Sequence, residues 1–347
     1  MKQEETDEIY MRRCLQLAHN GQQLAKPNPM VGAVIVSQAG QIIGEGYHVR
    51  CGEGHAEVNA FASVRTEDEP LLPESTVYVS LEPCSHYGKT PPCADLIVGK
   101  GVKRVVCGCV DPFPEVQGRG IRRIREAGIE VTVGVLEKEC LELNRKFITF
   151  NTLKRPYIIL KWAQTENRII GNSSTILHND EGSRTQANPS HCQNVPTASL
   201  QISTPFTKML VHKLRAENDA ILVGRVTDEL EHPQLNVREW SGPNPCKCVL
   251  SSTNPVRSAS PGTLSFTGIG PLLSYLYEHK LQSLIVEGGA HTLQSFIDEG
   301  LWDEIRIETA SFTADEGIGS PHLPTNSHLV KTEYYDNCIA TYRRLTE

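Results

Sequence analysis

Three residues in the first third of the chain are of the types that bind zinc: His55, Cys84 and Cys93. One imidazole and two thiolates fill three positions of a tetrahedral site and leave the fourth position open. A catalytic zinc needs that open position, because water bound there becomes a nucleophile near neutral pH. The set therefore predicts a catalytic metal centre, and its thiolate and imidazole ligands favour Zn2+ as the metal.

A glutamate two residues after the histidine supplies the proton transfer that hydrolysis needs. Glu57 is placed to take a proton from the attacking water and pass it to a leaving amine. A histidine, this glutamate and two cysteines, in that order, are typical of zinc deaminases. A zinc-stabilised scaffold without turnover is the alternative, and such a protein would not require Glu57.

The spacing of the two cysteines bears on the substrate. Eight residues separate Cys84 from Cys93, whereas deaminases of cytidine or of adenosine in nucleic acid usually have Cys-x-x-Cys. The longer insert places His86 and Lys89 beside the substrate. The formal net charge of -7 also argues against nucleic acid as a partner, because phosphate backbones are held by clustered lysine and arginine.

Helices and strands alternate around this motif. The motif itself lies on a predicted helix from about His55 to Val64, a strand at Thr76 to Leu81 and a helix that starts near Pro92. The other predicted elements of this half are an opening helix over 7–20, hairpin strands at 31–36 and 41–47, strands at 104–108 and 129–135, and a helix near 121–127. This alternation indicates a layered α/β fold.

A second α/β pattern follows the first. Its predicted strands lie at 157–162, 220–223, 247–250, 283–287 and 304–308, and two of its predicted helices lie near 271–280 and 290–299. A third helix is expected to start with Thr204 as N-cap and Pro205 as first residue and to reach about Glu217, after a polar loop over 182–203. We predict two domains, 1–150 and 151–347.

Four longer segments resemble the bifunctional deaminase-reductase family of riboflavin biosynthesis: 27–34, 46–48, 55–60 and 82–93. The resemblance implies a cytidine-deaminase-like three-layer α/β/α fold for 1–150. It also implies zinc-dependent hydrolytic deamination of 2,5-diamino-6-(5-phosphoribosylamino)pyrimidin-4(3H)-one. By the same resemblance the pocket for this phosphoribosyl pyrimidine would be lined by Asn28, His48, His86, Lys89 and Asp111.

The second half is similar to the reductase part of that family, whose fold is dihydrofolate-reductase-like. This resemblance implies NADPH-dependent reduction of the ribosyl group to ribityl phosphate. The substrate would contact Arg215, Leu235, Arg238 and Glu287. NADPH would contact Lys161, Trp162, Ala163, Gly224, Thr227, Ser251, Gly288 and Gly289. A Gly-Gly pair before a helix also allows the phosphates of a cofactor to approach the backbone closely.

Three segments of the second half depart from the family pattern. Thr165 to Arg168 stands where a Ser-Leu-Asp-Gly turn is usual, Glu231 to Pro233 where Asp-Asp-Pro is usual, and Ser251 where an aspartate is usual. In the first half, Phe113 stands where a polar residue is expected. A monofunctional deaminase with a degenerate reductase domain is therefore the alternative function.

The chain as a whole has the composition of an ordinary globular protein. The first residues do not resemble an export signal, no apolar run is long enough to span a bilayer, and the eleven cysteines do not form a secreted disulfide framework. We expect a cytoplasmic enzyme without membrane or nucleic-acid partners. We also expect a homo-oligomer, either a dimer or a tetramer.

Overall fold

A computed structural model describes residues 2–87, 91–112, 117–172, 200–251 and 262–345. The chain divides into two compact units, Met1–Pro156 and Tyr157–Glu347. Each unit contains one main sheet with helices packed against it, so the α/β fold class predicted from the sequence is confirmed. A search of the described helices finds none with the length and apolar character that crossing a membrane requires.

The first unit alternates helices and strands along its whole length. Its elements are α1 (Gln3–His19), β1 (Gly32–Val36), β2 (Ile42–Tyr47), α2 (Ala56–Ala62), a 3-10 helix (Glu69–Glu74), β3 (Thr76–Leu81), α3 (Cys93–Lys100), β4 (Arg104–Cys109), α4 (Arg119–Glu126), β5 (Glu130–Val133), α5 (Glu137–Leu143) and α6 (Arg145–Leu153). The five strands described there lie in the order β2-β1-β3-β4-β5. Strand β1 is antiparallel to both neighbours, whereas β3, β4 and β5 are parallel.

Apolar side chains cover both faces of this sheet, which makes the unit a three-layer α/β/α structure. On one face, Ala60 of α2, Ile97 of α3 and Ile124 of α4 pack on the alternate strand residues that point that way. On the other face, Met11 of α1 and Cys140 of α5 pack on the remaining strand residues. The layer arrangement implied by the family resemblance is therefore confirmed.

A buried ion pair fixes α1 on the sheet. Both carboxylate oxygens of Asp7 accept hydrogen bonds from the guanidinium of Arg104 on β4, each at 2.8 Å. The hydroxyl of Tyr78 donates to the same carboxylate. Burial alone would raise the pKa of Asp7, but these hydrogen bonds and one from Gln3 lower it below its usual value.

The second unit is built on a larger, mostly parallel sheet. Its elements are β6 (Tyr157–Gln164), β7 (Ile169–Gly171), α7 (Pro205–Ala216), β8 (Ala220–Gly224), α8 (Arg225–Glu231), β9 (Cys246–Leu250), β10 (Leu264–Phe266), α9 (Ile269–Glu278), β11 (Ser283–Val286), α10 (Ala290–Asp298), β12 (Glu304–Thr309), β13 (Ile318–Gly319), β14 (Ser327–Tyr334) and β15 (Cys338–Arg344). The eight strands described in the sheet have the order β10-β9-β8-β11-β6-β12-β15-β14. From β10 to β12 the pairing is parallel, and β15 and β14 are antiparallel.

Helices cover both faces of the second sheet as well. Leu214 of α7 packs on one face, whereas Leu276 of α9 and Phe296 of α10 pack on the other. The N-terminus of α7 follows the sequence prediction, because the Thr204 hydroxyl accepts a hydrogen bond from the Thr207 N–H and Pro205 is the first helical residue. Most of the predicted polar loop, residues 182–199, lies outside the described residues.

Candidate active sites

The three predicted metal ligands come together in the first unit. His55 is the extended N-cap residue of α2, Cys84 lies in the segment that follows β3, and Cys93 is the first residue of α3. The His55 Nδ1 atom lies 3.5 Å from the sulfur of Cys84 and 3.4 Å from that of Cys93. Among the described residues, these are the only three His, Cys, Asp or Glu side chains grouped closely enough to share a metal ion.

The two distances from His55 fit a zinc site. In a tetrahedral site with Zn–N of about 2.0 Å and Zn–S of about 2.3 Å, nitrogen and sulfur lie about 3.5 Å apart. Of the two thiols, that of Cys84 is also prepared for metal binding. A hydrogen bond from the Cys93 thiol, with a further one from His55, lowers the pKa of Cys84 to about 4, so a thiolate is present at neutral pH.

Glu57 lies in the first turn of α2 with only 3% of its surface exposed. Removal from water is the largest influence on the group and raises the pKa of Glu57 to about 7. The Cys84 thiolate raises this pKa further, whereas the neighbouring His55 and a hydrogen bond with Cys93 oppose the increase. A carboxyl group with a pKa near 7 both accepts and returns a proton at neutral pH.

Asn28 and His48 form a hydrogen-bonded pair beside the metal ligands. The Nε2 atom of His48 lies 3.0 Å from the Asn28 amide nitrogen, and its Nδ1 lies 3.1 Å from the carbonyl oxygen of Gly54. A carbonyl only accepts, so Nδ1 carries the proton and Nε2 accepts from Asn28. Burial lowers the pKa of His48, which keeps the ring neutral, and the ring packs edge-on against His55 with centroids 5.3 Å apart.

For His86 and Asp111, two other predicted pocket residues of the first unit, the structure gives the position in the fold. His86 is exposed in the segment between the two cysteines. Asp111 is half-buried just beyond the end of β4. Since β3 and β4 are parallel, Cys84 and Asp111 follow the same edge of the sheet. Lys89 lies outside the described residues, as does Phe113, the departure noted in the sequence.

Two residues that make hydrogen bonds at this site were not predicted from the sequence. Asn59 donates through its amide to the carbonyl oxygens of Tyr47 and Gly54, and so fixes the same carbonyl that His48 contacts. Glu82 accepts hydrogen bonds from the backbone N–H of Asp111 and from three backbone N–H groups around the start of α4. Both residues lie within the segments that resemble the family, but nothing in their spacing indicates which backbone groups they contact.

In the second unit, two predicted substrate residues pair with each other. The guanidinium of Arg215 donates to both oxygens of Glu287, at 3.1 and 2.6 Å, and the two side chains are 12% and 8% exposed. Burial alone would raise the pKa of Glu287, but Arg215 and, more weakly, Lys161 hold it below its usual value. The pair is therefore ionised at neutral pH, with Lys161 as a further positive charge in its field.

Leu235 and Arg238 lie in the connection that follows α8. Leu235 is buried with φ +47°, a left-handed conformation that is uncommon for leucine. The carbonyl of Asn236, between these two residues, accepts a hydrogen bond from Arg215. The Arg238 backbone N–H donates to His212 at 3.2 Å, and its exposed guanidinium donates to the Asn236 side chain. The structure thus joins the connection that contains Leu235 and Arg238 to the Arg215–Glu287 pair through the Asn236 carbonyl.

The predicted cofactor residues lie at one edge of the second sheet. Parallel strands have their carboxyl ends at the same edge, and most of these residues occupy the ends of neighbouring strands. Gly224 ends β8, Ser251 follows β9, and Gly288 and Gly289 follow β11 and precede α10. Gly288 lies directly against β8, because a Cβ there would be only 2.8 Å from the Cβ of Val223. Thr227 lies in the first turn of α8 beside Gly289.

Residues 161–163 belong to β6, the strand beside β11. Lys161 and Ala163 are half-buried on it. The Trp162 side chain is 4% exposed and packs in the core against α9 and α10, with its indole N–H donating to Gln164. Trp162 therefore has a packing role in this structure, whatever it contributes to cofactor binding.

The departure at 165–168 keeps the form of a tight turn. The Thr165 hydroxyl donates to the Asn167 side chain and accepts from the Ile169 N–H, and Thr165 N–H bonds to the Ile169 carbonyl. Arg168 has φ +65°, the left-handed conformation that suits the glycine usual at this position. His232, within the second departure, also has a positive φ, of +43°. The turn at 165–168 is thus retained with residues of different type.

Two family models match the chain. Residues 4–109 match the cytidine and deoxycytidylate deaminase zinc-binding region, and residues 191–314 match the RibD C-terminal domain. The riboflavin biosynthesis protein RibD of Aquifex aeolicus is 35% identical over 93% of this chain and 92% of its own length. The protein of the same name from Bacillus amyloliquefaciens is 33% identical over 91% of each chain.

Solved structures agree with these sequence relatives. A diaminohydroxyphosphoribosylaminopyrimidine deaminase/5-amino-6-(5-phosphoribosylamino)uracil reductase from Thermotoga maritima is 31% identical. It superposes with a TM-score of 0.82 over 99% of this chain and all of its own. RibD from Acinetobacter baumannii is 27% identical with a TM-score of 0.83 over the same shares.

Proposed function

Since the chain belongs to the RibD family of riboflavin biosynthesis proteins, in which a deaminase and a reductase are joined in one chain, we propose which residues perform each step and on which substrate. The unit Met1–Pro156 hydrolyses the amine from 2,5-diamino-6-(5-phosphoribosylamino)pyrimidin-4(3H)-one. The unit Tyr157–Glu347 then reduces the ribosyl group of the product to ribityl phosphate with NADPH. The observation that carries the first step is the grouping of His55, Cys84 and Cys93 beside the buried Glu57.

Deamination replaces the amino group of the pyrimidine by oxygen from water. Zinc held by His55, Cys84 and Cys93 would supply Lewis-acid activation of that water. Glu57 takes a proton from the water and delivers it to the amine, which leaves as ammonia. The pKa of about 7 suits both halves of this transfer.

The substrate is held by residues around the metal. The Asn28 amide is held by the neutral His48 ring, so one edge of the pocket presents a fixed hydrogen-bonding pair. Asp111 lies at the same sheet edge as Cys84, and we place it against the other side of the ring system. His86 and Lys89 are suited to the phosphate or to a pyrimidine oxygen.

For the reductase step, we place the substrate at the Arg215–Glu287 pair with Leu235 and Arg238. NADPH, when bound, supplies the hydride. Its contacts would be Lys161, Trp162, Ala163 and the strand ends at Gly224, Thr227, Ser251, Gly288 and Gly289. The strained backbone of Leu235 supports this placement, because left-handed non-glycine residues concentrate at functional sites.

A deaminase with a degenerate reductase unit is the competing function. The departures at 165–168, 231–233 and 251 favour it, whereas the retained turn at 165–168 and the ionised Arg215–Glu287 pair favour an active reductase. An assay that follows ammonia release and NADPH loss separately, on the phosphoribosyl diaminopyrimidinone, distinguishes the two. Ammonia with matching NADPH loss supports both activities, and ammonia alone supports the competing function. No ammonia from zinc-loaded protein would reject the proposed deaminase.

We also propose that the enzyme works in the cytoplasm as a homo-oligomer, either a dimer or a tetramer. The described cysteines all carry free thiols, in keeping with a reducing compartment. The edge strand β14 exposes the apolar or aromatic side chains of Leu329, Val330 and Tyr334. An exposed edge strand of this kind can pair with a second chain. Light scattering on the purified chain gives the oligomeric state, and a monomer at micromolar concentration would contradict the oligomer.

A further inference from the structure

A buried carboxylate beside the metal centre has no part in the chemistry described above. Glu82 follows β3, precedes Pro83 and Cys84, and is 5% exposed. Its two oxygens accept hydrogen bonds from four backbone N–H groups: Oε2 from Asp111 at 3.2 Å and Gly118 at 2.9 Å, and Oε1 from Gly120 at 2.9 Å and Ile121 at 3.4 Å. All four donors of these hydrogen bonds are backbone N–H groups of residues that follow β4 in the chain.

These four bonds join two parts of the deaminase site. Asp111 is at the start of the connection between β4 and α4, and Gly118 is at its end as the N-cap residue of α4. Glu82 therefore holds both ends of this connection to the segment that leads into Cys84. An ionised acceptor makes stronger hydrogen bonds than a neutral one, and the start of a helix favours negative charge.

Two further contacts hold α4 against the cysteine-bearing segments. A Cβ at Gly120 would lie 1.9 Å from the carbonyl oxygen of Pro83, so the first turn of α4 packs directly on the backbone beside Cys84. Arg123 of α4 pairs with Asp95, which is in the first turn of α3 two residues after Cys93. Helix α4 is thus tied to both cysteines, and Glu82 is the contact that extends this link to Asp111.

We propose that Glu82 is a positioning residue of the deaminase. By fixing the Asp111 backbone relative to the Cys84 segment, it sets the distance between a substrate contact and the metal. The inference rests on the proposed function, in which Asp111 contacts the pyrimidine substrate. It predicts that Glu82 acts on substrate binding through Asp111 and has no direct part in proton transfer.

The test is a double-mutant cycle on the full chain with Glu82→Gln and Asp111→Asn. Glutamine has the shape of glutamate but offers one acceptor oxygen, so its amide group faces N–H donors and two of the four bonds are lost. We expect Glu82→Gln to raise the KM of ammonia release about tenfold with kcat within about threefold, because lost ground-state contacts act on KM. In the Asp111→Asn background the same change should alter KM less than about threefold, because residues that act through one contact are not additive.

Zinc content and a matched variant complete the experiment. Glu82→Gln should retain zinc in the native amount, and Glu74→Gln, which removes an exposed carboxylate from the same unit, should leave KM and kcat unchanged. The inference is overturned by an unchanged KM, by an equal rise of KM in both backgrounds, or by loss of zinc from Glu82→Gln. Absence of ammonia release from the native chain would instead reject the proposed function.

Discussion

Among single residues, Glu57 is set apart by its surroundings. Its carboxyl is almost fully buried at the start of α2 and lies within reach of the Cys93 thiol. A charged group without a full set of partners is costly to bury, and the raised pKa is the measure of that cost. The structure retains this destabilised carboxyl beside the proposed metal ligands, where the proposed hydrolysis needs a proton carrier.

Replacing this carboxyl should abolish deamination without removing the metal. Glu57→Gln keeps the shape of the side chain but not its proton transfer, which is worth about 10²- to 10⁴-fold in rate. We therefore expect kcat for ammonia release to fall at least a hundredfold with zinc content unchanged. Glu67→Gln, at an exposed position, is the control. Ammonia release within threefold of native would show that Glu57 is not the proton carrier.

Arg168 allows a prediction on stability. It is exposed and has φ +65°, and a left-handed residue with a side chain costs about 1–2 kcal/mol. Arg168→Gly removes that cost, but glycine also raises the conformational entropy of the unfolded chain. We therefore expect a net gain of about 0.5 to 1 kcal/mol in the free energy of unfolding. Denaturant titration measures it. Arg12→Gly, within α1, should instead lose about 1 kcal/mol, and a loss at Arg168 as well would contradict the assigned conformation.

Between elements, the close approach of the end of β11 to β8 determines the shape of the proposed cofactor site. Gly288→Ala would place a Cβ 2.8 Å from the Val223 side chain and 3.0 Å from its Cα, so the backbone after β11 must move. We expect the KM for NADPH to rise at least tenfold while ammonia release stays native. Gly270→Ala, where a Cβ meets nothing within 4 Å, should leave both activities unchanged. Native NADPH kinetics in Gly288→Ala would place the cofactor elsewhere.

The contact between α1 and β4 predicts how stability depends on acid. Because the folded state lowers the pKa of Asp7, its stabilisation is fully present above the unfolded value of about 3.9 and is lost as pH falls through the lower folded value. Asp7→Asn leaves Arg104 without its main partner, so we expect a loss of about 3 kcal/mol at pH 7. The difference from native should shrink below pH 4.

Unfolding titrations from pH 7 to pH 3 test this dependence. Glu8→Gln, which removes an exposed pair with Arg12, should change stability by less than about 0.5 kcal/mol at every pH. If the difference in the free energy of unfolding between Asp7→Asn and the native protein stays constant down to pH 3, Asp7 is not the source of the pH dependence.

The sequence indicated a feature wherever a residue type serves one purpose in a given pattern. The three metal ligands, Glu57 and the Thr204-Pro205 helix start all follow from chemistry or capping that these residues alone provide. The sequence was uninformative where partners are backbone groups or solvent. Helices α5 and α6 were not predicted. Strand β14 was not predicted either, because most of its residues are exposed and its sequence does not alternate between apolar and polar residues. Glu82 shows the same limit, because its type does not reveal which N–H groups it binds.

At the scale of the whole molecule, the proposed zinc ligands and the proposed NADPH-binding residues belong to different compact units. We therefore expect a strong chelator to abolish ammonia release and to leave NADPH consumption on the deaminated pyrimidine within about twofold of native. The measurement is the two rates before and after metal removal, followed by zinc addition, which should restore ammonia release. Loss of both rates on chelation would mean that the reductase also depends on the metal.

The position of β6 has a consequence for synthesis on the ribosome. This strand is the first of its unit to be made but lies in the middle of the sheet, where Tyr157 pairs with Ser283 and Ile159 with Glu304. At translation speeds of about 5 to 20 residues per second, its partners emerge on the order of ten seconds later. During that interval a nearly continuous apolar strand has no neighbour, whereas the preceding unit is already complete. We therefore expect the nascent chain to depend most on chaperones while the second half of its message is being read.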